Sequence, residues 1–177
     1  MITATRFHDF SCGHRVVGHE GKCKYLHGHN YRVHFTVTMK QSLDEAGRAL
    51  DSVGRVLDFS AINSRLCQWL EREWDHKMLL WEKDPQRKLF DSIMVGTIQA
   101  ANGLEPLGLV YVPFNPTAEN MAQHLLYVIG PEALSGTNAQ LIAVTVEETR
   151  KCSAHANFAP SNALNTTGDD DAPSHID

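Results

Sequence analysis

The sequence has no run of apolar residues long enough to cross a lipid bilayer. Its first residues, MITATRFHDFS, also lack the basic start and the apolar stretch of a secretory signal peptide. The formal net charge is only −5, which gives the chain no general attraction to nucleic acids or anionic membranes. The chain is therefore predicted to bind neither nucleic acid nor membrane.

Cysteine is scarce as well, and its distribution argues against disulfide bonds. Disulfide frameworks occur mainly in small secreted domains with closely spaced cysteines, whereas this chain has an ordinary hydrophobic content of 42%. We therefore predict a reduced, cytoplasmic protein, in which Cys67 is a core-facing helix residue. The four cysteines are Cys12, Cys23, Cys67 and Cys152.

What the chain does have is enough apolar sequence for one compact α+β domain. The segments TATRFHDFS, HNYRVHFTVTMK, GLVYVPFNP and AQLIAVTVEET predict strands, and DPQRKLFDSIMVG predicts a short helix. Two longer helices are predicted to be capped by Ser60 and Thr117. The second should bury Met121, Leu125, Val128 and Ile129. The domain is expected at residues 1–159, followed by a polar, acidic and disordered tail at 160–177.

Two histidines in the segment CKYLHGHNYRV suggest a metal site. Because alternate residues of a strand share a face, His27 and His29 continue the apolar row that begins at Tyr31. His14, in SCGHR, is a third candidate if a neighbouring strand brings it alongside. Three imidazoles with an open position are typical of catalytic zinc, but ordinary loop histidines explain the spacing equally well. The spacing also leaves open whether Cys23 is a fourth ligand or a reactive thiol.

Glu148 lies at the end of an apolar row that contains Ile142, Val144 and Val146. A carboxylate on such a face is costly to bury without a partner. The common explanation is a strand-end glutamate that turns out into water. The alternative is a carboxylate that receives a ligand with two adjacent N–H groups.

The pair Asp75–His76, in WDHKMLL, follows the first long helix. It has two interpretations. Asp75 can be a helix cap beside a solvated imidazole, or it can orient His76 for proton transfer with a thiol or hydroxyl group.

Together these motifs resemble one family. The segments SCGHR, CKYLHGHNY, RVLDF, WDHKML, NPTAENMA and VEET occur in the order found in the 6-pyruvoyltetrahydropterin synthase and 6-carboxytetrahydropterin synthase superfamily. The resemblance extends from the first strand to Thr149. It implies a tunnelling fold, with a four-stranded antiparallel sheet and two main helices on one side. Such units are expected to close a β-barrel and to stack as a homohexamer, a dimer of trimers, with active sites at subunit interfaces.

The same resemblance assigns roles to individual residues. It implies that a zinc ion is held by His14, His27 and His29, and that Cys23 is a proton acceptor and not a ligand. The residues assigned to the catalytic relay are Asp75 and His76, and those assigned to the pterin are Glu148 and Thr149.

The implied substrate is 7,8-dihydroneopterin triphosphate, whose side-chain hydroxyl groups zinc can bind as a Lewis acid. We favour a lyase that forms 6-carboxytetrahydropterin with release of acetaldehyde and triphosphate, on the route to queuosine. A 6-pyruvoyltetrahydropterin synthase is the alternative, and an inactive, zinc-stabilised pterin-binding oligomer is the hypothesis from another class.

Several residues have weaker assignments. The triphosphate requires local positive charge, which Arg15, Lys22 and Lys24 could supply, although all three could equally be surface charges. The segment 80–112 is expected to shape the pocket rim or an oligomer contact. His34 falls on the polar face of its strand and is interpreted as solvated. The other histidines, His8, His19, His124, His155 and His175, are interpreted as non-ligands.

Overall fold

The computed structural model describes residues 1–40, 50–100 and 108–158. Within them, a six-stranded sheet has the order β4-β3-β1-β2-β5-β6. The strands are β1 (Ala4–His14), β2 (His27–Met39), β3 (Met78–Trp81), β4 (Leu109–Val112), β5 (Ala139–Thr149) and β6 (Cys152–Asn157). The predicted tail at 160–177 lies outside the described residues, and the boundary of the domain at residue 159 stays a prediction.

The α+β tunnelling-fold class is confirmed, with two strands more than the four expected. Strands β1, β2, β5 and β6 pair antiparallel, which matches the four-stranded antiparallel sheet that the resemblance implies. Strands β3 and β4 extend the sheet beyond β1 in parallel. They are short apolar runs, MLLW and LVYV. Strand β6 was not predicted, because CSAHAN has little apolar alternation to mark it.

Two helical stretches pack on one face of the sheet. The first runs through α1 (Phe59–Ile62), a π-helical turn (Asn63–Cys67) and α2 (Gln68–Glu73), and the second through α4 (Ala118–His124), a π-helical turn (Leu125–Ile129) and α5 (Gly130–Ala133). A separate helix, α3, spans Arg87–Ala100. The first and second helical stretches bury apolar residues in one cluster with the β2 row Tyr31, Val33, Phe35 and Val37. None of the helices in the described part of the chain is both long and apolar enough to span a membrane.

Two predictions about the helices were wrong, one about a helix cap and one about a buried residue. Asp58, and not Ser60, caps the first helix, because its carboxylate accepts hydrogen bonds from the Ser60 N–H at 2.8 Å and from its hydroxyl at 2.6 Å. Thr117 caps the second, as predicted. Val128 is exposed while Met121, Leu125 and Ile129 are buried. The π-helical turn holds more residues than an α-helical turn, so the 3.6-residue pattern fails there.

A β-bulge changes the face of one predicted core residue. Thr36 pairs with Ala143 and Val37 with Leu141, so Ile142 is an extra residue on β5. Leu141 is therefore buried, and Ile142 is only partly so. The alternation resumes at Val144. A second irregularity lies between Glu147 and Thr149, but Glu148 still contacts His29 on the same face as the buried Val144 and Val146.

Candidate metal centre and active site

Three histidines meet at one end of the β1–β2 pair. The antiparallel register places His14 opposite His27 and Cys12 opposite His29, on the face that carries the core. The ring centroids of His14 and His27 are 4.5 Å apart, and those of His27 and His29 are 4.9 Å apart. One ligand atom from each histidine and one from Glu148 lie within 4.8 Å of one another. The predicted ligands are thus together, and the group has a fourth member.

Backbone carbonyl groups orient two of these imidazoles. The Nδ1 of His14 is 2.7 Å from the Pro116 carbonyl oxygen, and the Nδ1 of His27 is 2.8 Å from the Tyr25 carbonyl oxygen. A carbonyl can only accept, so each Nδ1 carries the proton. In the neutral ring this tautomer leaves the lone pair on Nε2, which is the form that binds a metal ion.

The third imidazole, His29, also fits a metal ligand. Its Nε2 is buried and faces the cluster, where the Glu148 carboxylate is its neighbour at 2.9 Å. Burial lowers the pKa of His29, so the ring is neutral near pH 7. Three convergent imidazoles suit zinc. Within the described residues, Cys23 does not belong to the group.

Glu148 lies against the histidines. Its Oε1 is 2.9 Å from His29 Nε2 and 3.4 Å from His14 Nε2. The neighbouring imidazoles lower the pKa of Glu148, His14 most strongly and His29 next, although burial opposes the shift. Glu148 therefore stays ionised in this position and has not turned out into bulk water.

Two neighbours of the cluster had no predicted role there. The Tyr31 hydroxyl lies 3.2 Å from His14 Nε2, to which it can donate a hydrogen bond. Its signal in the sequence is its position two residues after His29, on the same face. Cys12 is buried beside the cluster, and burial raises the pKa of its thiol to about 12. Cys12 is therefore a protonated core thiol at neutral pH, unlike the partly exposed Cys23.

Asp75 and His76 form the predicted pair. Asp75 Oδ2 lies 2.7 Å from His76 Nδ1, and Asp75 Oδ1 accepts from the Ser11 N–H at 2.9 Å. Burial opposes the ionisation of Asp75, but the hydrogen bonds from Ser11 and His76 lower its pKa overall. His76 adopts a left-handed backbone conformation, with φ of 54°, and its side chain is 82% exposed. Its Nε2 is thus turned outward while Nδ1 is held.

Among the residues that the structure describes, no hydrogen bond joins this pair to Cys23. Asp75, His76 and Thr149 line a cavity of about 680 Å³. The cavity also contains Ser11 and Asn30, whose positions alternate with those of the metal-face residues. Cys23 lies in a 3₁₀ turn, Lys22–Lys24, on the segment before His27.

Two basic residues of the loop, Arg15 and Lys24, differ in whether their charge is already paired. Arg15 is not free for a phosphate group, because its Nε lies 3.2 Å from the fully buried Asp84 and its guanidinium also bonds Gln86. This ion pair ties the start of the segment 80–112 to the end of β1. The Lys24 ammonium lies over the Tyr25 ring, 5.4 Å from its centroid, on the exposed surface. Lys24 remains a candidate for the triphosphate.

His34 lies on the polar face of its strand, as predicted, and its side chain is 29% exposed, but it is paired with a carboxylate that the prediction did not include. Its Nε2 lies 2.6 Å from Glu147 Oε1, and both side chains are partly buried on the face of the sheet opposite the core. The reason is the cross-strand neighbourhood of β5, which places Glu147 near His34.

The sheet, the one-sided helices and the histidine cluster define a tunnelling-fold protein with a candidate metal centre. A family model for 6-pyruvoyl tetrahydropterin synthase matches residues 3–158. The chain belongs to this family.

Named relatives and solved structures agree with that assignment. The chain is 33% identical to the 6-carboxy-5,6,7,8-tetrahydropterin synthase of Rickettsia typhi, over 86% of this chain and 97% of that one. It is 30% identical to the probable 6-carboxy-5,6,7,8-tetrahydropterin synthase of Halobacterium salinarum, over 83% and 81%. An uncharacterized protein from Wolinella succinogenes has the same fold, with a TM-score of 0.69 and 20% identity over 89% of this chain and 98% of that one. The 6-pyruvoyl tetrahydropterin synthase of Caenorhabditis elegans has a TM-score of 0.57 at 20% identity, over 89% and 96%.

Proposed function

We propose that this chain is a zinc-dependent 6-carboxy-5,6,7,8-tetrahydropterin synthase. It takes 7,8-dihydroneopterin triphosphate and water to 6-carboxytetrahydropterin, acetaldehyde and triphosphate. The observation that carries the proposal is the convergence of three imidazoles, two with Nδ1 held by carbonyl oxygens. The names of the relatives from Rickettsia and Halobacterium support the choice of product.

In this proposal His14, His27 and His29 hold the zinc ion. When bound, zinc would act as a Lewis acid that makes protons next to the substrate's hydroxyl groups more acidic. Cys23 accepts such a proton as thiolate. A thiol of ordinary pKa, about 8.5, needs a basic partner to ionise near neutrality. His76 supplies that partner, and Asp75 fixes the ring by holding its Nδ1 proton.

The substrate is held by groups on both faces of the sheet. The Glu148 carboxylate accepts hydrogen bonds from the ring N–H and exocyclic amino group of the pterin. Thr149 lines the cavity that also contains His76, and Lys24 offers an exposed ammonium group for the triphosphate. Because no hydrogen bond joins Cys23 to His76 in the described part of the chain, we place the complete site at a contact between subunits of a homohexamer.

The product assay tests the proposed function directly. Zinc-loaded protein incubated with 7,8-dihydroneopterin triphosphate should release acetaldehyde and triphosphate in equal amounts. Triphosphate without acetaldehyde, together with a pyruvoyl product, would replace the proposal by a 6-pyruvoyltetrahydropterin synthase. Pterin binding without turnover would favour an inactive binding oligomer.

The zinc site predicts a clear difference between two histidine variants. His14→Ala should lower zinc affinity by more than about 100-fold, since losing the support of a ligand alone costs roughly 10–100-fold. His34→Ala should keep wild-type affinity, because His34 lies on the opposite face of the same strands. Chelator competition measures both values. X-ray absorption on the wild type should show only light scatterers such as nitrogen, and a sulfur neighbour would return Cys23 to the ligand set.

Glu148→Gln should weaken pterin binding by at least about tenfold, which corresponds to ~1.4 kcal/mol. The amide keeps the shape but presents a donor where two acceptors are needed. Glu132→Gln is the matched control, because Glu132 is exposed on α5, outside the histidine cluster and outside the cavity that contains Thr149 and His76. Calorimetry on the zinc-loaded proteins gives the pterin affinity. Wild-type pterin affinity in Glu148→Gln would remove this residue as the anchor, and loss of zinc there would make its carboxylate a ligand.

A further inference from the structure

The metal-binding form of His14 depends on one buried hydrogen bond. Its Nδ1 lies 2.7 Å from the Pro116 carbonyl oxygen, 102 residues away in sequence. The carbonyl accepts the Nδ1 proton and so leaves the Nε2 lone pair directed at the side of the ring where Tyr31 and Glu148 lie. If this carbonyl moved, the other tautomer would place a proton where the metal should bind.

The side chain of Asn115 fixes that carbonyl relative to β1. Its Oδ1 accepts from the Val17 N–H at 2.9 Å, and its Nδ2 donates to the Val17 carbonyl oxygen at 2.8 Å. The two bonds run in opposite directions, so a rotated amide would lose both. Val17 is three residues after His14. The Asn115 amide therefore clamps the end of the ligand-bearing strand to the residues that carry the Pro116 carbonyl.

The backbone of residues 115–117, called here the 115–117 turn, is itself held. The carbonyl oxygen of Asn115 accepts from the Asn120 Nδ2 at 2.9 Å and from the Thr117 N–H at 2.7 Å. Thr117 is also the cap of α4. The turn is thus attached to the first turn of a helix that packs in the core.

The same clamp extends to the predicted base. The Val16 N–H donates to the Cys23 carbonyl oxygen at 2.8 Å. The Asn115 side chain bonds both the N–H and the carbonyl oxygen of Val17. It therefore also fixes the position of Val16, to which the Cys23 turn is hydrogen-bonded. One amide therefore links a metal ligand and the candidate base.

We propose that Asn115 is a positioning residue that keeps His14 in its Nδ1–H tautomer and sets the distance between the metal site and the Cys23 turn. This inference rests on the proposed function, because the tautomer matters for chemistry only if His14 binds zinc. The role requires no contact between Asn115 and the substrate or the metal.

The test compares Asn115→Ala with wild type in two measurements. In zinc-free protein labelled with ¹⁵N on histidine, NMR should show His14 as a single Nδ1–H tautomer in wild type and as a mixture in Asn115→Ala. Zinc affinity, measured by chelator competition, should fall by about tenfold or more in the variant. Asn120→Ala removes one support of the 115–117 turn and should shift both quantities in the same direction, with about a fivefold loss of zinc affinity. It serves as the reporter if Asn115→Ala does not fold.

Thr137→Ala is the matched control. It removes side-chain hydrogen bonds to the Leu134 carbonyl and from the Ala139 N–H, next to the start of β5 and far from His14 along the sheet. It should lose stability while the His14 tautomer and zinc affinity stay unchanged. An unchanged tautomer and zinc affinity in Asn115→Ala, or in Asn120→Ala if that is the folded variant, would overturn the inference. A wild type that binds no zinc would count against the proposed function, while the tautomer measurement would still decide the role of Asn115.

Discussion

Replacing Cys23 by alanine should lower the rate of acetaldehyde release by about 10²- to 10⁴-fold, the usual contribution of a positioned proton acceptor. The zinc content should not change, because Cys23 is outside the group of convergent ligand atoms in the described residues. The loss should appear in kcat, since a proton acceptor acts in the transition state and contributes little to substrate binding. Steady-state kinetics on variant and wild type, both with zinc content measured, provide the comparison.

The chain offers controls for this variant among its other cysteines. Cys152 is exposed at the start of β6, and Cys152→Ser should keep wild-type kcat. Cys12 is closer to the histidines, but its thiol is protonated at neutral pH, with its pKa raised to about 12 by burial. Equal rates in Cys23→Ala and wild type would remove Cys23 from the mechanism. Loss of zinc in Cys23→Ala would show that its thiolate is a ligand.

Strand parity groups part of the metal site, and the family resemblance completed the predicted ligand set. His27, His29 and Tyr31 alternate along β2, and an antiparallel partner could bring His14 alongside. The same rule places Glu148 on the core face of β5. It succeeds there because the bulge at Ile142 lies before Val144, and because Glu148 keeps its side chain on that face although β5 is irregular again between Glu147 and Thr149. The local sequence predicts which face a side chain takes because alternate residues of a strand point to the same side of the sheet.

The remaining features depend on contacts between distant segments. No pattern near His14 indicates that the Pro116 carbonyl receives its Nδ1 proton, since any backbone carbonyl can accept a hydrogen bond. The pairing of Arg15 with Asp84, and of His34 with Glu147, depends in the same way on which segments become neighbours. The bulge at Ile142 and the π-helical turn near Val128 break the periodicities on which their predicted faces were based.

The separation of Asp75–His76 from Cys23 leads to the second prediction, which concerns mixed oligomers. Cys23→Ala and His76→Ala should each be nearly inactive alone. Oligomers assembled from equal amounts of the two variants should regain about a quarter of wild-type activity, because random assembly pairs an intact Cys23 with an intact His76 at one contact in four. The outward-facing Nε2 of His76, with Nδ1 held by Asp75, is the geometry that a neighbouring subunit could use.

If Cys23 and His76 instead acted within one chain, every subunit of the mixture would carry one defect and no activity would return. The experiment therefore requires proof of mixing, for which one variant carries an affinity tag and the untagged variant must be retained with it. Mixing the two finished homo-oligomers without subunit exchange should give no recovery, which controls for residual activity.

Recovery should also require both an intact Cys23 and an intact His76. The double variant mixed with Cys23→Ala supplies no intact Cys23 and should stay inactive, as should the double variant mixed with His76→Ala, which supplies no intact His76. Confirmed mixed oligomers without activity would place the base and its partner in the same subunit and would contradict the proposed site at the subunit contact.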